Sequence, residues 1–233
     1  MDEVEGARPA HVSAVAALDE PTRRRLYEFV VRQPEPVSRD QAAGAVQAPR
    51  NTVSFHLDKL VAEGLLEAVY QRRTGRTGPG AGRPSKLYRR APGQIAISLP
   101  ERHYEIAAHL LAGALQTAQA SGEPPRAALD RRARELGREL GGRARPASGP
   151  RDAVLRALET LGFEPRADGE SIGLVNCPFH SLARQHTELV CGMNLCLVTG
   201  LLEGLGATDV TARLEPAPGH CCVRLHPAGP PSR

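Results

Sequence analysis

The chain has 233 residues, of which 41% are hydrophobic and only 3% aromatic, and its formal net charge is +4. This length suits two domains with cores of Leu, Val and Ala. There is no run of about 18 apolar residues, and the first residues, MDEVEGARPA, are acidic. These features argue against a transmembrane span and a secretory signal, so we expect a cytoplasmic protein without a membrane partner.

The charge is distributed unevenly along the chain. Residues 1–20 carry one basic and five acidic side chains, residues 21–90 carry 14 and six, and residues 91–233 carry 15 of each. The net charges of these segments are therefore −4, +8 and zero. A basic segment beside a neutral one predicts an anionic partner, such as double-stranded DNA, for the first domain only.

Three helices are predicted in the basic segment. Pro21 opens the first, which runs to Arg32, and Ser38 is a suitable N-cap for the second, over residues 39–46. The third is expected over residues 50–63, ending at Gly64. Its outer face should present short or basic hydrogen-bonding side chains to DNA: Arg50, Asn51, Thr52, Ser54, His56 and Lys59.

A basic β-hairpin is predicted after the third helix. The runs LLEAVYQ and SKLYRR indicate two strands joined by a loop rich in Gly and Arg. Three helices and such a hairpin are typical of a winged helix-turn-helix, which we place at residues 12–92. The alternatives are a solvated hairpin tip and a winged helix that contacts only proteins. Five hairpin bases are expected at DNA phosphates or in the minor groove: Arg72, Arg73, Arg76, Arg83 and Lys86.

The middle of the chain predicts a helical dimerisation region at residues 101–140. Apolar side chains recur at helical spacing over 101–120 and again over 126–140. The segment GGRARPASGP, residues 141–150, has the composition of a linker, and we expect a domain boundary there.

Residues 150–227 predict an α+β sensor domain. A helix over 152–161 precedes two strands at 163–166 and 171–176, and a second hairpin is expected from 209–214 and 221–226. Between the hairpins, helices are predicted over 182–190 and 191–205. The whole chain is thus expected to be of the α+β class.

All five cysteines lie in this last domain. Their odd number, with no sign of export, favours free thiols over a disulfide framework. Cys177 at a strand end, Cys191 at a helix start and Cys221 on an inward strand face are expected to converge. Cys196 lies about 140° round the helix from Cys191. Cys222 should face away from Cys221, unless a bulge exchanges the two and makes Cys222 the ligand.

Converging thiols suit an iron–sulfur cluster or zinc rather than magnesium or calcium. Zinc would take His180, His186 or His220 as a further ligand, although no close C-x-x-C pair is present. A second alternative is that the cysteines are small buried hydrophobic residues. A catalytic Cys–His pair is a third, but no other feature resembles a substrate pocket, so we do not expect an enzyme.

The runs ALDEPTRRRLYEFV, TVSFHLDKLVAEGLLEAV and GRPSKLYRRAP resemble the winged-helix domain of ArsR-type bacterial repressors. The similarity covers residues 12–92 and is closest to the branch that includes the Suf-operon repressors. The resemblance implies a homodimer on a palindromic DNA operator. It also implies an iron–sulfur cluster held by three cysteines at long spacings.

Carried over by position, those three ligands are Cys177, Cys191 and Cys221. The intervening gaps are 13 and 29 residues, and Cys196 and the Cys221-Cys222 doublet depart from the family pattern. We therefore predict a dimeric repressor that responds to a cluster or metal. The alternative is a winged-helix regulator with a zinc site or a small-molecule ligand in its second domain.

Overall fold

A computed structural model describes residues 2–71, 84–144 and 149–229, with side chains from residue 10 onward. The chain divides into two compact units, Met1–Ile97 and Ser98–Arg233. The hairpin tip with Arg72, Arg73, Arg76 and Arg83, and four residues of the expected linker, lie outside the described residues.

The described part of the first unit contains helices and a small antiparallel sheet. Its elements are α1 (Asp2–Ala17), α2 (Pro21–Val31), β1 (Val37–Ser38), α3 (Arg39–Val46), α4 (Arg50–Ala62), β2 (Leu66–Gln71) and β3 (Ser85–Arg90). The strands are ordered β1-β3-β2, so the predicted hairpin gains a short third strand that the sequence pattern did not indicate. The core is built around buried aliphatic side chains, including Leu26, Val53, Leu57, Leu60 and Leu66.

Local capping signals mark the ends of α3 and α4. As predicted, Ser38 caps α3: its hydroxyl accepts a hydrogen bond from the Gln41 N–H, while the Gln41 side chain accepts one from the Ser38 N–H at 2.8 Å. Gln47 ends α3 in the left-handed conformation, at φ 53°. Gly64 follows α4 at φ 70°, a conformation that favours glycine. These local signals set where the two helices begin and end.

The described part of the second unit is α+β. Its elements are α5 (Tyr104–Ser121), α6 (Pro125–Arg143), α7 (Pro150–Thr160), β4 (Pro165–Asp168), β5 (Ser171–Leu174), α8 (His180–Gln185), α9 (Thr187–Leu205), β6 (Val210–Leu214) and β7 (Val223–Pro227). The four strands form one antiparallel sheet in the order β4-β5-β7-β6. The helices and the sheet share a single cluster of buried side chains.

Glycines bring α6 and α9 into direct backbone contact. A methyl group added at Gly137 or Gly141 would overlap the carbonyl groups of Leu197 or Leu201, and one at Gly200 would overlap the carbonyl of Arg134. Because α6 covers α9 in this way, residues of α5 and α6 belong to the same buried cluster as the elements of residues 150–227. The boundary expected at residues 141–150 instead lies between residues 97 and 98. Dimer formation through residues 101–140 stays a prediction.

Two element boundaries differ from the predictions at cysteines. The helix predicted to start at Cys191 begins at Thr187, because the buried face of Val190, Met193 and Leu197 runs through Cys191 without interruption. The last strand begins at Val223, after a bend at Cys222. Strand alternation therefore does not apply at Cys221 and Cys222, and both side chains are buried.

By length and composition alone, α9 is also long and apolar enough to cross a membrane. Just over half of it, 56%, is buried inside the unit, as is usual for a core helix.

Candidate functional site

The outer face of α4 is one candidate interface. Val53, Leu57 and Leu60 bury the inner face completely. The residues opposite them on the helix are exposed. Of the predicted DNA contacts, Arg50, Asn51, Thr52 and Lys59 lie on this exposed side, whereas Ser54 is half-buried.

His56 does not face outward as predicted. Its side chain is only 12% exposed, and its Nε2 atom lies 3.6 Å from a carboxylate oxygen of Glu20. That carboxylate also accepts hydrogen bonds from the N–H groups of Thr22 and Arg23 at the start of α2, at 3.0 and 2.6 Å. His56 thus joins α4 to the α2 cap, because its position places it towards the buried face of α4. The alternation of polar and apolar residues in the sequence did not reveal this.

The hairpin is tied to α4 by Asp58. Lys86 donates a hydrogen bond to its carboxylate at 2.6 Å and Tyr88 donates another at 3.0 Å. The hydrogen bond to Asp58 raises the pKa of Lys86 above its ordinary value, which keeps the ammonium charged. Lys86, predicted as a DNA contact, is therefore engaged within the unit, as is Arg50, which lies 3.2 Å from Asp40. Both remain partly exposed.

Comparison with known proteins identifies the segment that contains these helices. Residues 18–69, from the residues before α2 into β2, match the family model described as a helix-turn-helix domain. Residues 18–69 form a helix-turn-helix domain. The sequence prediction is confirmed to this extent, and a helix-turn-helix domain indicates a DNA-binding transcriptional regulator. No curated protein and no solved structure matches the chain.

Outside the helix-turn-helix domain, the cysteines of the second unit form two pairs. Cys191 on α9 and Cys222 before β7 form a disulfide with their Cα atoms 6.3 Å apart. The thiols of Cys177 and Cys221 are hydrogen-bonded to each other. Because Cys221 and Cys222 are adjacent, one peptide bond connects the two pairs. The sequence predicted that Cys177, Cys191 and Cys221 converge and set Cys222 apart, whereas the structure bonds Cys222 to Cys191 and pairs Cys177 with Cys221.

The Cys177–Cys221 hydrogen bond shifts the pKa values of the two thiols in opposite directions. It lowers the pKa of Cys177 to about 7, against the opposing effect of burial, and the Phe179 amide and the charge of Arg102 lower it further. The same hydrogen bond and burial raise the pKa of Cys221. Cys177 is thus the thiol that supplies a thiolate near neutral pH.

Cys196 stands apart from these pairs, as predicted from its position on the helix. Burial and the nearby carboxylate of Asp130 raise the pKa of its thiol. The other charges that act on it belong to Arg134 and Arg126, so the side chain lies against α6. Cys196 is therefore a packing residue between two helices.

The histidines considered as further ligands are all exposed: His180, His186 and His220. Among the residues that the structure describes, no three Cys, His, Asp or Glu side chains form a group that could hold a metal ion. A metal ligand must be a thiolate, and Cys191 and Cys222 are oxidised in this structure.

Two buried asparagines support the thiols and were not found from the sequence. The Asn194 amide donates a hydrogen bond to the Cys221 sulfur at 3.3 Å. Asn176 donates to the carbonyl groups of Gly162 and Glu101, at 2.6 and 3.0 Å, and its oxygen accepts a hydrogen bond from Arg102. The signals available in the sequence were an asparagine directly before Cys177 and another asparagine, Asn194, within the predicted apolar helix.

Proposed function

We propose that this protein is a transcriptional repressor whose operator binding is controlled by an iron–sulfur cluster in its second unit. DNA binding follows from the helix-turn-helix domain. The observation that supports the control is that four of the five cysteines are buried in the core of this unit as two pairs, Cys191–Cys222 and Cys177–Cys221.

The chemistry of these donors fits the proposed group once the disulfide is reduced. Thiolates are the usual ligands of iron–sulfur clusters, and the Cys177 thiol already ionises near neutral pH. Cys177, Cys191 and Cys221 are the ligands that the resemblance implies, and Cys222 is a further candidate because it is bonded to Cys191 and follows Cys221 directly in the chain. When bound, the cluster supplies sensitivity to oxidants and to iron supply.

Hydrogen bonds connect the turn at Cys177 to the chain segment that joins the two units. The Cys177 carbonyl accepts a hydrogen bond from Arg102 at 3.3 Å, and the carbonyl of Pro178 accepts one from the His103 amide at 3.1 Å. Residues 101–103 precede α5 and follow the boundary at residues 97 and 98 by a few positions. A change in the Cys177 turn therefore moves the segment that connects the two units.

The proposed protein is a cytoplasmic homodimer on a palindromic operator. One face of α5 leaves two apolar side chains exposed about three turns apart, with Leu115 57% and Tyr104 37% open to solvent. A second copy of the same helix would cover this face, as in a two-fold symmetric interface. Two recognition helices then match two half-sites about one helical turn apart.

The test is to purify the full chain anaerobically with a reductant, record its ultraviolet-visible spectrum and assay iron, sulfide and zinc. Operator binding is then compared before and after loss of the bound metal. Iron with sulfide and a change in affinity would support the proposal. Stoichiometric zinc without iron would favour the zinc site instead, and protein that binds DNA equally well without any metal would exclude control by the cluster.

A further inference from the structure

Phe55 is an aromatic side chain left open on the outer face of α4. Its surface is 65% exposed, although Val53 and Leu57 on either side of it are fully buried. It lies one helical turn after Asn51, on the same face. Phe55 is thus the large apolar side chain that α4 presents to solvent, beside Val53, Leu57 and Leu60, which are fully buried.

The ring of Phe55 packs against the largely buried ring of His56. Its centroid lies 5.4 Å from that of His56, with the planes at 67°. His56 is itself only 12% exposed and lies beside the Glu20 carboxylate that caps α2. A neighbour fixed in this way limits the directions that the Phe55 ring can take, so the ring is held outward.

We propose that Phe55 contacts the C5 methyl group of a thymine in the major groove and is a specificity-determining residue. The inference rests on the DNA-binding function and adds to it the base that is read. In helix-turn-helix proteins the first residues of the recognition helix reach the base edges. Thymine is the one base that presents an apolar group there, and phenylalanine is among the side chains that contact it.

The neighbours of Phe55 favour DNA over a protein partner. Asn51, Thr52, Asp58 and Lys59 are exposed around it and all are polar or charged. A single ring in a polar surface does not form the continuous apolar patch that is typical of protein docking sites. It matches a major groove, where one methyl group lies among hydrogen-bonding atoms. Asn51, one turn away, can pair with an adenine near that thymine.

The experiment begins with selection of preferred duplexes from a randomised DNA library by the full chain. Each thymine of the selected site is then replaced by deoxyuridine, which removes only the methyl group. For wild type we expect replacement at one thymine per half-site to weaken binding about fourfold, equivalent to about 0.8 kcal/mol for one buried methyl group. Phe55→Ala should bind the thymine and uracil duplexes equally.

Tyr70→Ala is the matched control, since Tyr70 is an aromatic residue of the same unit that is 66% exposed. That variant should keep the fourfold difference. If no uracil substitution affects wild type, or if Phe55→Ala discriminates as well as wild type, the inference is wrong while specific DNA binding stands. If no sequence is enriched at all, sequence-specific regulation fails and the inference fails with it. A change in oligomeric state caused by Phe55→Ala would assign the ring to a protein interface and overturn the inference.

Discussion

The side-chain amide of Asn194 donates a hydrogen bond to the sulfur of Cys221 across 3.3 Å. Asn194 is 1% exposed and Cys221 3% exposed, so this contact lies in the core between α9 and the start of β7. A buried polar group stays in a core at a cost unless it is hydrogen-bonded. Here the bond is made to a sulfur atom, which identifies Asn194 as a positioning residue for the thiol.

Asn194→Asp should impair the thiol site. The substitution keeps the size of the side chain but places an acidic group beside the Cys221 sulfur, and a nearby negative charge disfavours a thiolate. We expect metal binding after reduction to weaken about tenfold or more. Competition with a chelator, followed by absorbance, measures this. Asn194→Leu, which adds no charge, serves as the comparison: equal losses in both variants would mean that charge is not the cause.

Adjacent glycines at the end of α6 offer a test of helix packing. A methyl group at Gly141 would overlap the carbonyl of Leu201 on α9, whereas one at Gly142 meets nothing within 4 Å. Gly141→Ala should lower the free energy of unfolding by about 1–3 kcal/mol through overpacking. Gly142→Ala should leave it unchanged or raise it by up to about 1 kcal/mol, because alanine favours a helix. Urea unfolding compares the two, and equal effects would show that α6 and α9 are not in backbone contact.

Stability should fall in acid partly through Glu203. The hydrogen bond from Arg134, helped by Arg138, lowers the pKa of this carboxyl to about 2 from an ordinary 4.5. The ion pairs therefore contribute fully above pH 4.5, and the contribution is lost as the pH falls towards 2. Since the carboxylate is about one-third exposed, we expect Glu203→Gln to cost less than about 1 kcal/mol at pH 7. Unfolding at pH 7, 5 and 3.5 should show the difference from wild type narrowing, and a difference that grows in acid would contradict this assignment.

Local signals predicted most of the fold. Pro21, the Ser38 cap and Gly64 mark where helices of the helix-turn-helix domain begin or end, and each acts within a few residues of the chain. The two compact units divide at residues 97 and 98 and not at 141–150, because the glycines of α6 and α9 approach each other across more than 60 residues of sequence. Glycine-rich composition near Gly141 is typical of both a linker and a close helix contact, so composition alone did not separate them.

The cysteine site was predicted in part for a similar reason. The sequence indicated which thiols are buried in one domain, but the partner of each depends on tertiary contacts. A bend at Cys222 removes the strand alternation on which its orientation was predicted. On α4, the inward-facing side chain of His56 lies beside Glu20, which is the N-cap residue of α2. Contacts of this kind join residues that are far apart in the chain, so no periodic pattern of the sequence reveals them.

Arginines of the hairpin tip should contribute to DNA binding without regard to sequence. Residues 71–90 contain seven basic and no acidic side chains. Arg73→Ala or Arg83→Ala should weaken binding to all duplexes and reduce the salt slope by about one. Arg32→Ala, an exposed position at the end of α2, is the control and should leave the slope unchanged. Binding curves at several salt concentrations decide, and unchanged slopes for both hairpin variants would exclude contact between the tip and DNA.

Metal loading should require reduction of the disulfide. Cys191 and Cys222 cannot act as thiolate ligands while they are bonded to each other. We expect protein treated with a thiol reductant under anaerobic conditions to take up iron and sulfide, and oxidised protein to take up little. Alkylation of free thiols with mass spectrometry checks the starting state, which should show Cys177, Cys196 and Cys221 as free.

Single serine substitutions then separate the four paired cysteines from the fifth. Cys177→Ser, Cys191→Ser or Cys221→Ser should each abolish or grossly reduce the bound metal and sulfide, because each removes a sulfur donor from a fixed core position. Cys222→Ser should do so as well, since Cys222 lies against Cys191 rather than facing away. Cys196→Ser is the control, because that thiol lies against the charged groups of α6 and should leave the metal content unchanged. If Cys222→Ser keeps full content, three cysteines suffice; if all five variants keep it, the cluster is held elsewhere and the proposed sensor is wrong.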